Sequence, residues 1–271
     1  MFIHGGPGLN SNPERKGLSN IFLKNKISCI FWDEPSALRQ PKPFFGNELA
    51  YSNCLKSIHS TVQLYKPKIL IGGSFGSQTC LDYIKNYKHD VDLKLIFISP
   101  TFDIFKTILN MILISEKDFY ELDTNKFFKI QELKSKIKSF WDENMKQALM
   151  LAWENPKLAS YYFVDTEKLK NWFESISEPK YLVDSISQDA VFSEFKSWIK
   201  KDAKTKKFKL ERNVTLLVGD KDPVWNNKEN IESLQDNFKT FETVVFKNTA
   251  HFPHLEKPEL FVKLINKLLL N

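Results

Sequence analysis

The stretch Ile71-Gly72-Gly73-Ser74-Phe75-Gly76-Ser77 decides how the rest of the chain is read. Ahead of it, Lys68-Ile69-Leu70-Ile71 is a short apolar run of the kind that forms a buried strand. Behind it, Gln78 to Ile84 carries apolar residues at helical spacing. A serine between two glycines at a strand-to-helix junction predicts a sharp, strained turn that lifts the hydroxyl clear of the sheet. A Cβ at Gly72 or Gly76 would collide with the adjoining strand or helix, so only glycine fits there. The helix starts beneath the serine, and its unused N–H groups favour negative charge. Ser74 is therefore the candidate nucleophile.

Strand and helix alternate on both sides of this centre. Met1-Phe2-Ile3 predicts a strand running into His4-Gly5-Gly6-Pro7-Gly8, a turn whose amides can approach a substrate and hold an oxyanion. His4 precedes that turn and is expected to hold the loop. Ile27 to Asp33 predicts a second strand, ended by Asp33-Glu34-Pro35. Asn47 to Tyr65 predicts a helix with Leu49, Cys54, Leu55, Ile58, Val62 and Tyr65 on one face, and Leu93 to Pro100 the next strand. From Thr101 to about Lys207 the alternation stops. Ile130, Leu133, Ile137, Phe140, Trp141, Leu149 and Ala152 trace one long helical stripe, ended by Asn155-Pro156. Further helices are expected over 166–175 and 190–200, with Asp165 and Asp189 as caps. Val214 to Val218 then restores the sheet rhythm, followed by a helix over 227–237, a strand over 243–246 and a closing helix from Pro258 to Leu270. The expectation is an α/β core, residues 1–100 and 208–271, with about six mostly parallel strands and a helical cap over 101–207.

The 271 residues are 42% hydrophobic, enough for one large core with an insertion. No apolar run reaches the length of a membrane span, and no leader pattern stands at the start, so no membrane partner is expected. Three scattered cysteines, Cys29, Cys54 and Cys80, make no disulfide framework and fit a cytoplasmic protein. The formal net charge of +6 owes much to Lys196 to Arg212. Without a nucleic-acid motif or aromatic interleaving, that stretch reads as a solvated linker and no nucleic-acid partner is expected. No tight His/Cys/Asp/Glu spacing marks a metal site, and no cofactor is expected.

A serine needs an imidazole within hydrogen-bond reach, and the imidazole needs a buried carboxylate to fix its tautomer. Asp220 and Asp222 both follow the Val214–Val218 strand. Asp222, on the turn before Pro223, is favoured, with Asp220 expected to bond backbone amides. His251 and His254 both follow the last strand, and His251 comes first. In a parallel sheet these loops emerge at the same edge as Ser74. The N–H groups of Gly6 and Phe75 are the expected oxyanion donors.

These residues resemble the α/β-hydrolase superfamily, and within it the proline iminopeptidases. His4-Gly5-Gly6-Pro7-Gly8 has that family's His-Gly-Gly-Pro-Gly form, and Gly72-Gly73-Ser74-Phe75-Gly76-Ser77 is similar to its Gly-Gly-Ser-Trp-Gly-Ser, with Phe for Trp. Gly219-Asp220-Lys221-Asp222 and the block from His251 to Pro258 resemble its acid and histidine blocks, the first histidine being the family's catalytic one. The resemblance implies hydrolysis of short peptides at an N-terminal proline or another residue, with Trp153 and Glu154 at the substrate's amino end. Three features depart from the pattern. Asp33-Glu34-Pro35-Ser36 stands where the family has Asp-Gln-Arg-Gly. The family's second cap glutamate has no counterpart ahead of Tyr161-Tyr162-Phe163. Two strands that usually precede the His-Gly-Gly strand are missing, which implies a smaller sheet or a start upstream. An esterase with an apolar acyl pocket, or a non-catalytic ligand-binding protein of the same fold, are the alternative expectations for a small-molecule partner.

Overall fold

Along the central strands successive side chains are apolar on both faces, as a sheet covered by helices on each side requires. Phe2, Ile69, Ile71, Ile96, Ile98 and Leu217 face one layer, while Ile3, Leu70, Leu95, Phe97, Leu216 and Val218 face the other. The computed structural model describes residues 1–6, 9–34, 50–87, 92–177, 210–224 and 228–270. Among them, six strands form one sheet: β1 (Phe2–Ile3), β2 (Phe31–Trp32), β3 (Ile69–Gly73), β4 (Lys94–Ile98), β5 (Leu210–Gly219) and β6 (Phe238–Phe246). Every pairing is parallel, in the order β2-β1-β3-β4-β5-β6. The loops that follow β1, β3, β5 and β6 therefore leave the sheet at one edge.

Helix α1 (Asn12–Lys24) packs its Leu18 and Phe22 on the first layer. Helices α2 (Ala50–Tyr65) and α3 (Phe75–Asn86) pack on the second, with Leu55, Ile58, Cys80 and Leu81 fully or almost fully buried. Between β4 and β5 come α4 (Ile104–Leu122), α5 (Thr124–Lys136), α6 (Glu143–Trp153), α7 (Leu158–Tyr162) and α8 (Thr166–Ile176). Four of these inserted helices begin at an aspartate whose carboxylate accepts a backbone N–H of the first turn. Asp103 takes that of Lys106, Asp123 that of Lys126, Asp142 that of Met145, and Asp165 those of Glu167 and Lys168. Each such cap is worth about 1 kcal/mol. After β5 come α9 (Lys228–Asn237), then β6, α10 (Pro253–Glu256) and α11 (Pro258–Leu270), whose Phe261 and Ile265 join α1 on the first layer.

Four local expectations are corrected. The stripe from Ile130 to Ala152 is two helices. Asp142 breaks it by accepting the N–H groups of Lys138 and Ser139 as well as that of Met145, and Trp141 turns the chain at φ 62°. The second strand is two residues long, because its partner β1 supplies only two ladder positions. The last strand starts at Phe238, directly after α9, instead of Thr243. Tyr65, expected on the buried face of α2, is 60% exposed in the last turn of that helix. The expected helix over 190–200 with its cap Asp189, the end of the cap near 207, most of the basic stretch, Pro7-Gly8 and Leu49 lie outside the described residues.

Candidate active site

β3 ends at Gly73, and α3 begins at Phe75, so Ser74 alone makes the turn. Its φ of 50° and ψ of −120° are a conformation that a side-chain-bearing residue adopts only under constraint. The constraint comes from both flanks. The Ser74 N–H donates to the Ile98 carbonyl of β4 at 2.8 Å, and the Ser74 carbonyl accepts the Ser77 N–H at 3.0 Å. A Cβ on Gly76 would stand 2.4 Å from the carbonyl oxygens of both Ile3 and His4, so α3 approaches β1 as closely as backbone allows. This close approach also brings the turn after β1 against the serine, with Gly5 beside the Ser74 side chain. His4 holds that turn. It hydrogen-bonds the Gly5 carbonyl through Nδ1, accepts the Glu34 N–H at Nε2 (3.3 Å), and lies against Trp32.

β5 and β6 deliver the acid and the base. The turn after β5 is fastened to the loop after β6: the Lys221 N–H donates to the Thr249 carbonyl (3.0 Å), and Asp220 accepts the Asn248 N–H (2.6 Å). A Cβ on Gly219 would meet the Ala250 carbonyl at 2.2 Å, so glycine is needed for the two loops to touch. Asp222 and His251 then lie 2.9 Å apart, Oδ2 to Nδ1, both buried. The other Asp222 oxygen accepts the Val224 N–H at 2.9 Å. His251 Nε2 lies 3.0 Å from Ser74 Oγ. Ser74, His251 and Asp222 thus form one hydrogen-bonded chain. Asp220 bonds backbone, as its position implied. His254 points away into the first layer, fully buried between Phe2 and Phe261, with Glu14 at 3.9 Å.

The chain of three opens on a cavity of about 330 Å³ between the sheet edge and the inserted helices. Gly5, Gly6 and Ser74 form its floor; Ile108, Met111, Leu149 and Trp153 are among its walls. Apart from His251, no ionisable acid or base lines it among the described residues, Tyr162 excepted. Tyr162 sets its ring edge-on to His251 at 5.3 Å and stacks on Trp153 at 5.7 Å. Burial, and next the charge of Asp222, hold its phenol well above the usual range, so it stays neutral. Nothing in the sequence pattern singled out Tyr162 for this place.

The seven residues expected at the site do not all meet there. Ser74, Asp222 and His251 do. Gly6 lines the cavity floor, and Phe75 is the first residue of α3, directly after Ser74. Trp153 lines the wall. Glu154, expected beside it at the substrate's amino end, lies outside the cavity. It ends α6, where the side chain turns to solvent and pairs with Lys126 at 2.8 Å. Among the described residues no group of three or more His, Cys, Asp or Glu side chains is arranged to hold a metal, and no helix is long and apolar enough to cross a membrane.

Sheet order, the inserted helices and the serine turn define the α/β-hydrolase fold. Solved structures of that fold superpose over almost the whole chain. A proline iminopeptidase-related protein from Thermus thermophilus matches with a TM-score of 0.63 at 17% identity, covering 99% of this chain and 87% of that one. An esterase from Exiguobacterium antarcticum matches at 0.59 and 17%, over 98% and 90%. A bromoperoxidase from Bacillus anthracis matches at 0.58 and 12%, over 100% and 91%. Identities this low establish the fold and leave the chemistry to the site. No protein-family model matches the sequence, and no curated protein does.

Proposed function

We propose that the chain is a serine hydrolase cleaving carboxylic esters with an apolar acyl group. The observation that carries this reading is the Ser74–His251–Asp222 chain opening on a cavity walled by apolar side chains. Ser74 Oγ attacks the ester carbonyl carbon while His251 Nε2 takes its proton. The N–H groups of Gly6 and Phe75 receive the oxyanion. The carbon–oxygen bond to the alcohol then breaks, and His251 returns the proton to the departing oxygen. Water, deprotonated in turn by His251, attacks the acyl-serine, and the acid leaves with Ser74 restored. Asp222 keeps the proton of His251 on Nδ1 throughout, which leaves Nε2 as the base.

Release of an N-terminal proline is the finer activity the sequence resemblance implies, and it ranks second on chemistry. A substrate ammonium in a closed apolar pocket needs a carboxylate partner. Glu154, the expected partner, is engaged with Lys126 outside the cavity. The test compares aryl esters of increasing acyl length with prolyl and alanyl aryl-amides, on the wild type and Glu154→Gln. Ester cleavage that is unchanged in Glu154→Gln is expected. Fast prolyl-amide cleavage that Glu154→Gln abolishes would overturn this reading in favour of the peptidase.

A further inference from the structure

Glu256 closes α10, five residues after His251, and only 9% of it is exposed. Its carboxylate has backbone partners on both sides of the site. Oε2 accepts the N–H of Ala250, the residue before His251, at 2.6 Å. Oε1 accepts the N–H groups of Val164 at 2.7 Å and Asp165 at 3.0 Å, between α7 and α8. The two segments also meet through side chains. Tyr162 lies edge-on to His251, and Phe163 stacks on Phe252 at 5.1 Å. One carboxylate thus fastens the turn that carries His251 to the inserted segment that roofs it. The role calls for an acceptor at both oxygens, which a carboxylate side chain supplies. An amide in its place would aim N–H groups at either Ala250 or the Val164–Asp165 pair, donor against donor.

We propose that Glu256 is a positioning residue, which makes the orientation of His251 depend on the docking of the inserted helices. The catalytic part of this inference rests on the ester-hydrolase reading; the structural tie does not. Lys168 offers an internal comparison. Its Nζ donates to the carbonyls of Leu255 (3.0 Å) and Glu256 (2.6 Å), so it also fastens α8 to α10, without touching the Ala250 N–H.

The test takes the full chain as wild type, Glu256→Gln, Glu256→Asp and Lys168→Met. It follows amide hydrogen exchange over 162–166 and 249–252, and the kcat and KM of ester cleavage at several pH values. In Glu256→Gln the amide keeps an acceptor for one side only, so the side that faces its NH₂ should exchange faster, by about tenfold or more. There kcat should fall about 10- to 100-fold while KM moves less than about threefold, because a misplaced base slows chemistry and leaves the acyl pocket intact. Lys168→Met should loosen α8 and lose thermal stability with kcat held within about twofold. Should Glu256→Gln fail to fold, Glu256→Asp decides: one methylene shorter, it reaches one side only and should free the other. Unchanged exchange on both sides, an unchanged kcat in Glu256→Gln, or an equal loss of kcat in Lys168→Met would overturn the proposal. A wild type that is inert toward esters and toward a fluorophosphonate would overturn the hydrolase reading, and the exchange result alone would then decide the tie.

Discussion

Replacing Asp222 by asparagine asks whether the acid acts by fixing a tautomer. Asp222 Oδ1 accepts the Val224 N–H at 2.9 Å, while Oδ2 faces His251 Nδ1 at 2.9 Å. An asparagine amide keeps one acceptor oxygen. Turning it the wrong way would set its NH₂ against the buried Val224 N–H, a loss of about 1–3 kcal/mol. The amide oxygen therefore stays on Val224, and the NH₂ is driven onto His251 Nδ1. Nδ1 must then accept, the ring proton moves to Nε2, and Nε2 points a donor at Ser74 Oγ instead of a base. A wrong tautomer in such a triad lowers kcat about 10⁴-fold, which is about 5.4 kcal/mol at 1.36 kcal/mol per decade. Binding should hardly change, because Asp222 does not line the cavity. The assay is steady-state hydrolysis of a short-chain aryl ester by Asp222→Asn, with thermal unfolding to check the fold. A folded variant within about tenfold of the wild-type kcat would refute the tautomer argument.

Two further perturbations test the fold around the site. Gly76→Ala places a Cβ 2.4 Å from the Ile3 and His4 carbonyl oxygens, and should destabilise by about 3 kcal/mol or more. A Tm fall of roughly 6–12 °C in a thermal scan is expected, and an unchanged Tm would contradict the close β1–α3 approach. His254 is buried, and desolvation lowers its pKa more than nearby Glu14 and Glu256 raise it, with His251 lowering it further. The unfolded chain therefore binds a proton that the native state refuses once pH falls below about 6.5. Stability is full above that value and should fall by up to about 1.4 kcal/mol per pH unit below it. Urea midpoints at pH 7.5 and 5.5 should show a smaller loss in His254→Phe than in the wild type; equal losses would sink the argument.

What was legible in the sequence follows the strength of the local physics. Gly-x-Ser-x-Gly between an apolar run and a helical one fixed the centre of the sheet, because the glycines are required by backbone contacts as close as 2.4 Å. The order of Ser74, Asp222 and His251 placed three loops at one edge, since parallel strands leave no other arrangement. The break at Asp142 was obscured because Ile137, Phe140 and Trp141 continue the apolar stripe through a turn. The four aspartate caps of the insertion are the signal that divides it, and of these Asp165 alone stands ahead of an expected helix. Glu154 stands beside Trp153 in sequence, but adjacency says nothing of direction. At a helix end, successive side chains diverge, so Trp153 lines the cavity while Glu154 meets Lys126. Tyr162 and Glu256 act through tertiary contacts between segments about ninety residues apart, which no local pattern encodes.

The central claim is that Ser74 is the nucleophile, and its most direct measurement is the mass of the folded chain after exposure to a fluorophosphonate, followed by peptide mapping. The strained turn, the His251 base at 3.0 Å and the neighbouring amides predict one adduct per chain, on Ser74, and none in Ser74→Ala. A folded wild-type protein that gains no mass, or gains it on another residue, would contradict the account.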